Sequence, residues 1–261
     1  MPSYNTIRIE THGALARITL NRPEKRNAIS ATMIAELLSA LNDVESGSER
    51  VAIITGAGKA FCAGMDIDAL KSLAIQLPEE NLVDARRTAG LFRRIWSFPK
   101  PLIAAVNGAA LAGGCGIATL CDFTLAVPEA KFGYTEVRIG FVPAIVSTFL
   151  LRQVGEKQAR DLLLTGRIFD ADEAHRMGLI NEIIPADTLM NRASALAAQL
   201  MENSAASLRA TKQLLTEHAR SELDAQIGPA VRENAAIRST SDFREGITSF
   251  LEKRKPVWTG K

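Results

Sequence analysis

The chain has 261 residues, of which 47% are hydrophobic and 23% are charged, a composition typical of a globular protein with a substantial core. Its 31 basic and 29 acidic residues give a formal charge of +2 and are spread along the sequence. This balance argues against nucleic acid, or another extended anionic polymer, as the main partner.

The N-terminal sequence and the cysteines indicate a cellular compartment. "MPSYNTIRIETHG" has neither the apolar segment of a secretory signal nor the Arg-rich pattern of a mitochondrial presequence, so we expect a cytoplasmic protein. The chain has an odd number of cysteines, Cys62, Cys115 and Cys121. They lack the spacing of metal ligands and adjoin small or apolar residues. We therefore expect reduced thiols in the core of an intracellular protein, and no metal site.

Strand and helix patterns alternate in the first part of the chain. "IRIE" and "ALARITL" predict a β-hairpin that turns at residues 11–13. Ser30 is a candidate N-cap of a helix that ends near Gly47 and has apolar side chains along one face. "RVAIITG" and "LIAAVNG" are predicted buried strands, with a helix over residues 84–97 between them.

The stretch "AAVNGAALAGGCGIATLCDF" lies in an uncharged region that extends from Pro101 to Cys121. It is long enough to span a bilayer, but its four glycines, Asn107 and the charges that soon follow argue against a membrane span. We predict that the chain turns through "ALAGG" into a short helix, "CGIATL", followed by a strand, "CDFTLAV".

After about Ile184 the pattern becomes helical to the end of the sequence. The alternation before that point predicts an α/β fold with largely parallel strands covered on both faces. We therefore expect an α/β core over residues 1–185 and a C-terminal helical region over residues 186–261.

Two predicted strands lead into glycine-rich loops, "GAGKAFCAGMDI" and "GAALAGGCG". Small residues let the backbone approach a ligand, and free N–H groups there can stabilise an oxygen that gains negative charge, as in a thioester. Alternatively, the glycines only permit tight packing between strand and helix. Neither loop has a phosphate-loop or dinucleotide-binding pattern, and His12, His175 and His218 occur in contexts typical of the surface.

Six segments occur in an order typical of one enzyme family: "NRPEKRNAIS", "AFCAGMDI", "VNGAALAGGCGIATLCDF", "KFGYTEVRIGFVP", "LLTGRIFDADEAHRMGLINEI" and "SFLEKRKPV". Through them nearly the whole chain resembles the enoyl-CoA hydratase/isomerase family, the crotonase superfamily. The resemblance implies a spiral of repeated ββα units with a C-terminal helical region, assembled as a homotrimer or homohexamer. It also implies an acyl-CoA thioester substrate and no cofactor beyond the coenzyme A that the substrate carries.

The resemblance also implies roles for individual residues. The backbone N–H groups of Met65 and Gly113 would form an oxyanion hole, and Glu136 would be the general acid/base. The implied substrate and coenzyme A contacts are Lys25 and Arg26 at the pantetheine and phosphates, Ala63, Asp66 and Ile67 around the adenine, Gly114 and Gly116 in the second loop, and Phe250 and Lys253 in a C-terminal helix that closes over the nucleotide.

One position departs from the family pattern. Typical hydratases have Gly-Gly-Cys-Glu where this chain has Gly113-Gly114-Cys115-Gly116, so the first of two catalytic carboxylates is missing. With Glu136 alone, one group must both remove and return a proton, which favours a Δ3-Δ2 enoyl-CoA isomerase. However, "GGCGIATLCDF" and "FGYTEVRIGFVPAIVS" most resemble methylglutaconyl-CoA-type hydratases of branched or carboxylated substrates, in which this glycine is familiar.

The acyl pocket of such an enzyme would be shaped by "FVPAIVS", in which Ala144 and Ile145 replace a glycine-rich run. Arg138 would either pair with a substrate carboxylate or lie in a structural ion pair on the surface. We expect hydration of a 2-enoyl-CoA through a thioester enolate. The alternatives, in order, are isomerisation, decarboxylation of a glutaconyl-type thioester and acyl-CoA binding without catalysis.

Overall fold

The computed structural model describes residues 4–261. Within that range the chain forms ten β-strands and nine α-helices. In chain order these elements are β1 Ile7–His12, β2 Leu15–Leu20, α1 Ala31–Ser46, β3 Val51–Gly56, β4 Ala60–Cys62, α2 Ile67–Leu73, α3 Pro78–Trp96, β5 Leu102–Val106, β6 Ala109–Leu111, α4 Gly113–Thr119, β7 Phe123–Ala126, β8 Lys131–Gly133, α5 Ala144–Thr165, β9 Ile168–Asp170, α6 Ala171–Arg176, β10 Glu182–Ile183, α7 Leu189–Glu202, α8 Ala205–Ala236 and α9 Ser241–Leu251.

The strands form two sheets. The larger has the order β1-β2-β3-β5-β7-β10, and all of its pairs except β1 with β2 are parallel. The smaller has the order β4-β6-β8-β9, with parallel pairing between β4, β6 and β8. From β3 to β8 successive strands alternate between the two sheets, so each strand pair adds one turn of a spiral. The predicted α/β fold with largely parallel strands and a C-terminal helical region is confirmed.

The elements with strong sequence signals occur where they were expected. The side chain of Ser30 accepts a hydrogen bond of 3.2 Å from the Met33 N–H and caps α1, which ends before Gly47. Every residue of β5 is buried, and so is every residue of β3 except Gly56. The three cysteines are buried and free.

Some elements differ from the prediction in type or in where they begin. Ala109–Leu111, which we expected to be a turn, is strand β6, because its backbone pairs with β4 and β8 from other parts of the chain. A three-residue strand of small apolar side chains shows no periodicity that the sequence could reveal. The predicted helix at residues 84–97 begins earlier, at Pro78, since proline is favoured in the first helical turn.

The C-terminal helices return to the α/β core. Helix α9 packs against α2 and against the 3-10 turn Glu136–Ile139, around a small cluster formed by Leu70, Leu73, Phe141, Phe243 and Ile247. In residues 4–261 no helix is both long enough and apolar enough to cross a membrane.

Candidate active site

A cleft of about 770 Å³ connects the two glycine-rich loops, α3, the start of α5 and the C-terminal helices. It brings together most of the residues that the sequence indicated. The members of that set that line it are Lys25, Arg26, Ala63, Met65, Asp66, Ile67, Gly113, Glu136, Ala144 and Phe250.

The two loops meet because β4 and β6 are parallel neighbours and end at the same edge of the small sheet. Gly64 has φ +88°, and a Cβ added there would lie 2.9 Å from the Cβ of Ala112. This close approach places Met65 and Gly113, the next residue in each loop, side by side in the cleft wall. Within residues 4–261 neither backbone N–H donates to another protein group, so both are available to a ligand oxygen.

The backbone immediately before Gly113 is strained. Ala112 has φ 48° and ψ −125°, a conformation that residues with a Cβ rarely adopt. It lets the chain turn from β6 directly into α4 and leaves Gly113 as the first residue of that helix. Strain of this kind persists only where the surrounding structure holds it, and it commonly occurs at functional sites.

Glu136 begins the 3-10 turn Glu136–Ile139 and lines the same cleft. Its side chain is buried, and in the part of the chain that the structure describes its Oε2 atom has no hydrogen-bond partner. Because burial disfavours the charged form, the pKa of Glu136 is raised to about 7. At neutral pH the group therefore exists in both protonation states and can accept or donate a proton.

Among residues 4–261, no second carboxylate replaces the one missing at Gly116. A Cβ at this position would lie 2.8 Å from Cγ1 of Val146 and 3.1 Å from Cε1 of Phe92, so apolar side chains occupy that space. The cleft's other acids are Glu24, Asp66 and Asp68. Asp66 and Asp68 pair with Arg22 and Lys25, at 2.6 and 2.9 Å, and Glu24 is exposed.

Three of the predicted coenzyme A contacts, Lys25, Arg26 and Ile67, are exposed residues of the cleft lining. Lys25 is the last residue of the 3-10 turn Pro23–Lys25 and Arg26 follows it, while Ile67 starts α2, in which Asp68 pairs with Lys25. Asp66 has a structural role, since one of its oxygens accepts from Arg22 and the other accepts from the Asp68 N–H, which caps α2. Arg22, which the sequence did not single out, thereby ties the two walls together.

Four of the indicated residues are not brought into the cleft lining. Gly114 is buried against the backbone carbonyl of Cys62, and Gly116 faces Val146 and Phe92. Arg138 is exposed and packs beside Gly166, and Lys253 is exposed beyond the end of α9.

The sequence interpretation missed several lining residues. They are Thr88 and Phe92 of α3, Ile139 and Phe141 beside Glu136, Asn234 of α8, and Ile247 and Leu251 of α9. The four-residue spacing of Thr88 and Phe92 places them on one face of a helix, but only the tertiary structure shows that this face borders the cleft.

Comparison with known proteins places this cleft in a family context. Residues 10–261 match the model of the family described as enoyl-CoA hydratase/isomerase. A Thermus thermophilus protein assigned by name to the enoyl-CoA hydratases is 46% identical, over 94% of this chain and 97% of its own length. The short-chain-enoyl-CoA hydratase of Clostridium acetobutylicum is 36% identical, over 96% of each chain.

Solved structures are similar over the same extent. The crystal structure of an enoyl-CoA hydratase/isomerase from Xanthobacter autotrophicus Py2 superposes with a TM-score of 0.89 at 31% identity, covering 97% of this chain and 98% of the other. The names of these relatives do not support the particular resemblance to methylglutaconyl-CoA-type hydratases.

Proposed function

Because the chain belongs to the enoyl-CoA hydratase/isomerase family, we propose that it hydrates 2-enoyl-CoA thioesters to 3-hydroxyacyl-CoA. One observation carries this proposal. The N–H groups of Met65 and Gly113, which lack acceptors among residues 4–261, share a single cleft with the buried carboxyl group of Glu136. The hydratase names of relatives such as the Clostridium protein support hydration as the reaction.

The arrangement lets one acid perform both proton transfers. The thioester oxygen accepts hydrogen bonds from the Met65 and Gly113 N–H groups, which stabilise the negative charge that develops there. The Glu136 carboxylate removes a proton from water as the water oxygen bonds to C3 and the electron pair of the double bond passes into the enolate. The resulting carboxylic acid then delivers that proton to C2, which restores the carboxylate. A pKa near 7 suits both steps at neutral pH.

The direct test is Glu136→Gln, assayed with crotonyl-CoA by the loss of the conjugated thioester's ultraviolet absorbance. We expect kcat to fall by roughly 10²- to 10⁴-fold, the usual contribution of a general acid/base. Coenzyme A binding and the circular dichroism spectrum should be retained, since glutamine has nearly the same shape. Wild-type-like turnover by the variant would remove Glu136 from the mechanism.

Isomerisation is the second candidate, and the apolar wall at Gly116 favours it. Val146 and Phe92 fill the space beside Gly116, and Glu136 alone could move a proton from C2 to C4 without water. Supplying 3-hexenoyl-CoA to the wild type distinguishes the two reactions. An isomerase converts 3-hexenoyl-CoA to 2-hexenoyl-CoA, whereas an enzyme that only hydrates 2-enoyl-CoA leaves 3-hexenoyl-CoA unchanged. Decarboxylation would release carbon dioxide from glutaconyl-CoA. Coenzyme A binding without turnover of any thioester would indicate a binding protein.

The roles of the outer residues and the assembly state belong to the same proposal. Lys25, Arg26, Ala63, Asp66, Ile67 and Phe250 would contact coenzyme A in the part of the cleft that they line.

A homotrimer or homohexamer would cover exposed apolar side chains such as Leu164, Leu214 and Leu215, and sedimentation velocity would measure its size. Three buried free thiols fit a reducing compartment such as the cytoplasm.

A methylglutaconyl-type substrate gains no support from the site. The candidate partner of a substrate carboxylate, Arg138, is exposed and lies outside the cleft lining. Its position fits the alternative interpretation, a surface residue.

A further inference from the structure

Two polar side chains interrupt the apolar wall of the cleft beyond its reacting end. Thr88 of α3 and Asn234 of α8 line the cleft together with Phe92, Phe141 and Ile145. We call Thr88 and Asn234 the polar corner. Polar groups in such a wall are costly unless something hydrogen-bonds to them, so their unused hydrogen-bonding capacity points to a ligand.

Asn234 is locked in one orientation. The residue is 5% exposed, and its Oδ1 accepts a hydrogen bond of 2.7 Å from Nη2 of Arg238. Because arginine has donors only, the amide oxygen must face Arg238, and the amide N–H groups must point elsewhere. Arg238 is itself fixed, with Asp84 at 2.9 Å. Within residues 4–261 the Asn234 Nδ2 group donates to no acceptor, which leaves it for the cleft.

The hydroxyl of Thr88 is also unused. Threonine in a helix commonly donates to the carbonyl four residues earlier, as Thr119, Thr165 and Thr248 do here at 2.7–3.0 Å. Thr88 Oγ1 is buried and makes no hydrogen bond with any group in the described part of the chain. The two members of the polar corner therefore both retain capacity that this chain does not use.

Two ion pairs show which residues of α3 and α8 lie opposite each other, and so where the polar corner lies. Arg93 of α3 pairs with Asp224 of α8, and Asp84 of α3 pairs with Arg238 just beyond α8, so the two helices run antiparallel. This register sets Thr88 opposite residue 231, within about one helical turn of Asn234. Phe92, which lies beside Gly113 and Gly116, is four residues from Thr88, or about 6 Å along the helix. The corner thus lies about one turn of α3 from the glycine-rich loops, a distance that several carbon atoms of an acyl chain can span.

On the basis of the hydration proposed above, we propose that the preferred substrates are 2-enoyl-CoA thioesters whose acyl chain carries an uncharged oxygen, a hydroxyl or a keto group, at the polar corner. That oxygen would accept from the Asn234 amide. Rotation of the Thr88 side chain about its Cα–Cβ bond would bring the buried hydroxyl into the cleft, where it would donate to the same oxygen or accept from it. A carboxylate fits less well, because the nearby cation, Arg238, is already paired with Asp84.

The test compares kcat/KM for 2-octenoyl-CoA with kcat/KM for its 5-, 6- and 7-hydroxy derivatives. We expect the wild type to prefer at least one hydroxylated chain by roughly tenfold, the equivalent of one net hydrogen bond. Asn234→Asp keeps an oxygen for Arg238 but removes the N–H donor, and it should abolish that preference. Thr88→Val should weaken the preference, whereas Thr88→Ser, which retains a hydroxyl, should preserve it.

A matched control is Thr119→Val, a buried threonine outside the cleft lining, which should leave the ratio of the two kcat/KM values unchanged. The inference is overturned if the wild type hydrates 2-octenoyl-CoA but disfavours every hydroxylated chain, or if a chain ending in a carboxylate is preferred. It is also overturned if the Asn234 and Thr88 variants keep the wild-type ratio. Failure to hydrate any of the four thioesters would instead refute the hydratase function itself.

Discussion

At the scale of single residues, the proposed catalytic role of Glu136 carries an energetic cost. Its carboxyl group is buried, one of its oxygens has no partner among residues 4–261, and its pKa rises to about 7. The same burial that tunes the acid for proton transfer makes its charged form unfavourable in the folded state. Activity and stability should therefore respond in opposite directions when the carboxyl group is removed.

Glu136→Gln should make the fold more stable than that of the wild type, and this difference should grow as the pH rises. Because the folded-state pKa lies above the ordinary value of 4.5, the folded protein binds more protons than the unfolded chain between pH 4.5 and 7, and the free energy of unfolding falls across that range. Glutamine does not titrate. Urea unfolding should show the variant's advantage growing by roughly 2 kcal/mol from pH 5.5 to pH 8. Glu129→Gln, at an exposed acid, is the control, and a constant difference would contradict the raised pKa.

At the scale of elements, several strands and helices of the core could be predicted from the sequence, whereas helix α5 and the short strands beside the site could not. Hydrophobic patterns identified β3 and β5 because both faces of these strands are buried, and identified α1 because it buries one face. The short strands β4 and β6 form through pairing between distant segments, which leaves no local pattern. The motifs still indicated Met65, Gly113 and Glu136, but Thr88 and Asn234 belong to no motif and depend on how α3 and α8 pack.

The contact between the two loops after β4 and β6 leads to a prediction for Gly64→Ala. The new Cβ would meet the Ala112 side chain at 2.9 Å and the Leu111 carbonyl oxygen at 3.1 Å, at a positive φ. Separation of the loops should displace one of the two proposed oxyanion donors and lower kcat for crotonyl-CoA by roughly 10²-fold or more. Gly13→Ala, also at positive φ but with open space around it, should cost stability without changing kcat. Equal kcat values in the two variants would disprove the loop contact's role.

At the scale of the whole molecule, the C-terminal helix completes a site that the first half of the chain begins. Backbones touch where α9 crosses the turn that carries Glu136: a Cβ at Gly246 would overlap the Ile139 carbonyl group, and one at Gly140 would overlap the Asp242 carbonyl group. Helix α9 also contributes Ile247, Phe250 and Leu251 to the cleft lining. The acid and the outer wall of the cleft are therefore held by one packing interface.

Gly246→Ala tests that interface, because the helix preference for alanine and the tight packing against Ile139 have opposite effects on stability. Alanine in a helix interior is favoured over glycine by up to about 1 kcal/mol, so without tertiary contacts the substitution should stabilise α9. Gly90→Ala, in the exposed middle of α3 with nothing within 4 Å, should show that gain in thermal unfolding. At Gly246 the added methyl group must push α9 away from Ile139, which should lower stability by roughly 1–3 kcal/mol. Movement of the Glu136 turn should lower kcat for crotonyl-CoA, and the loosened outer wall should raise KM. If Gly246→Ala behaves like Gly90→Ala, α9 does not support the acid.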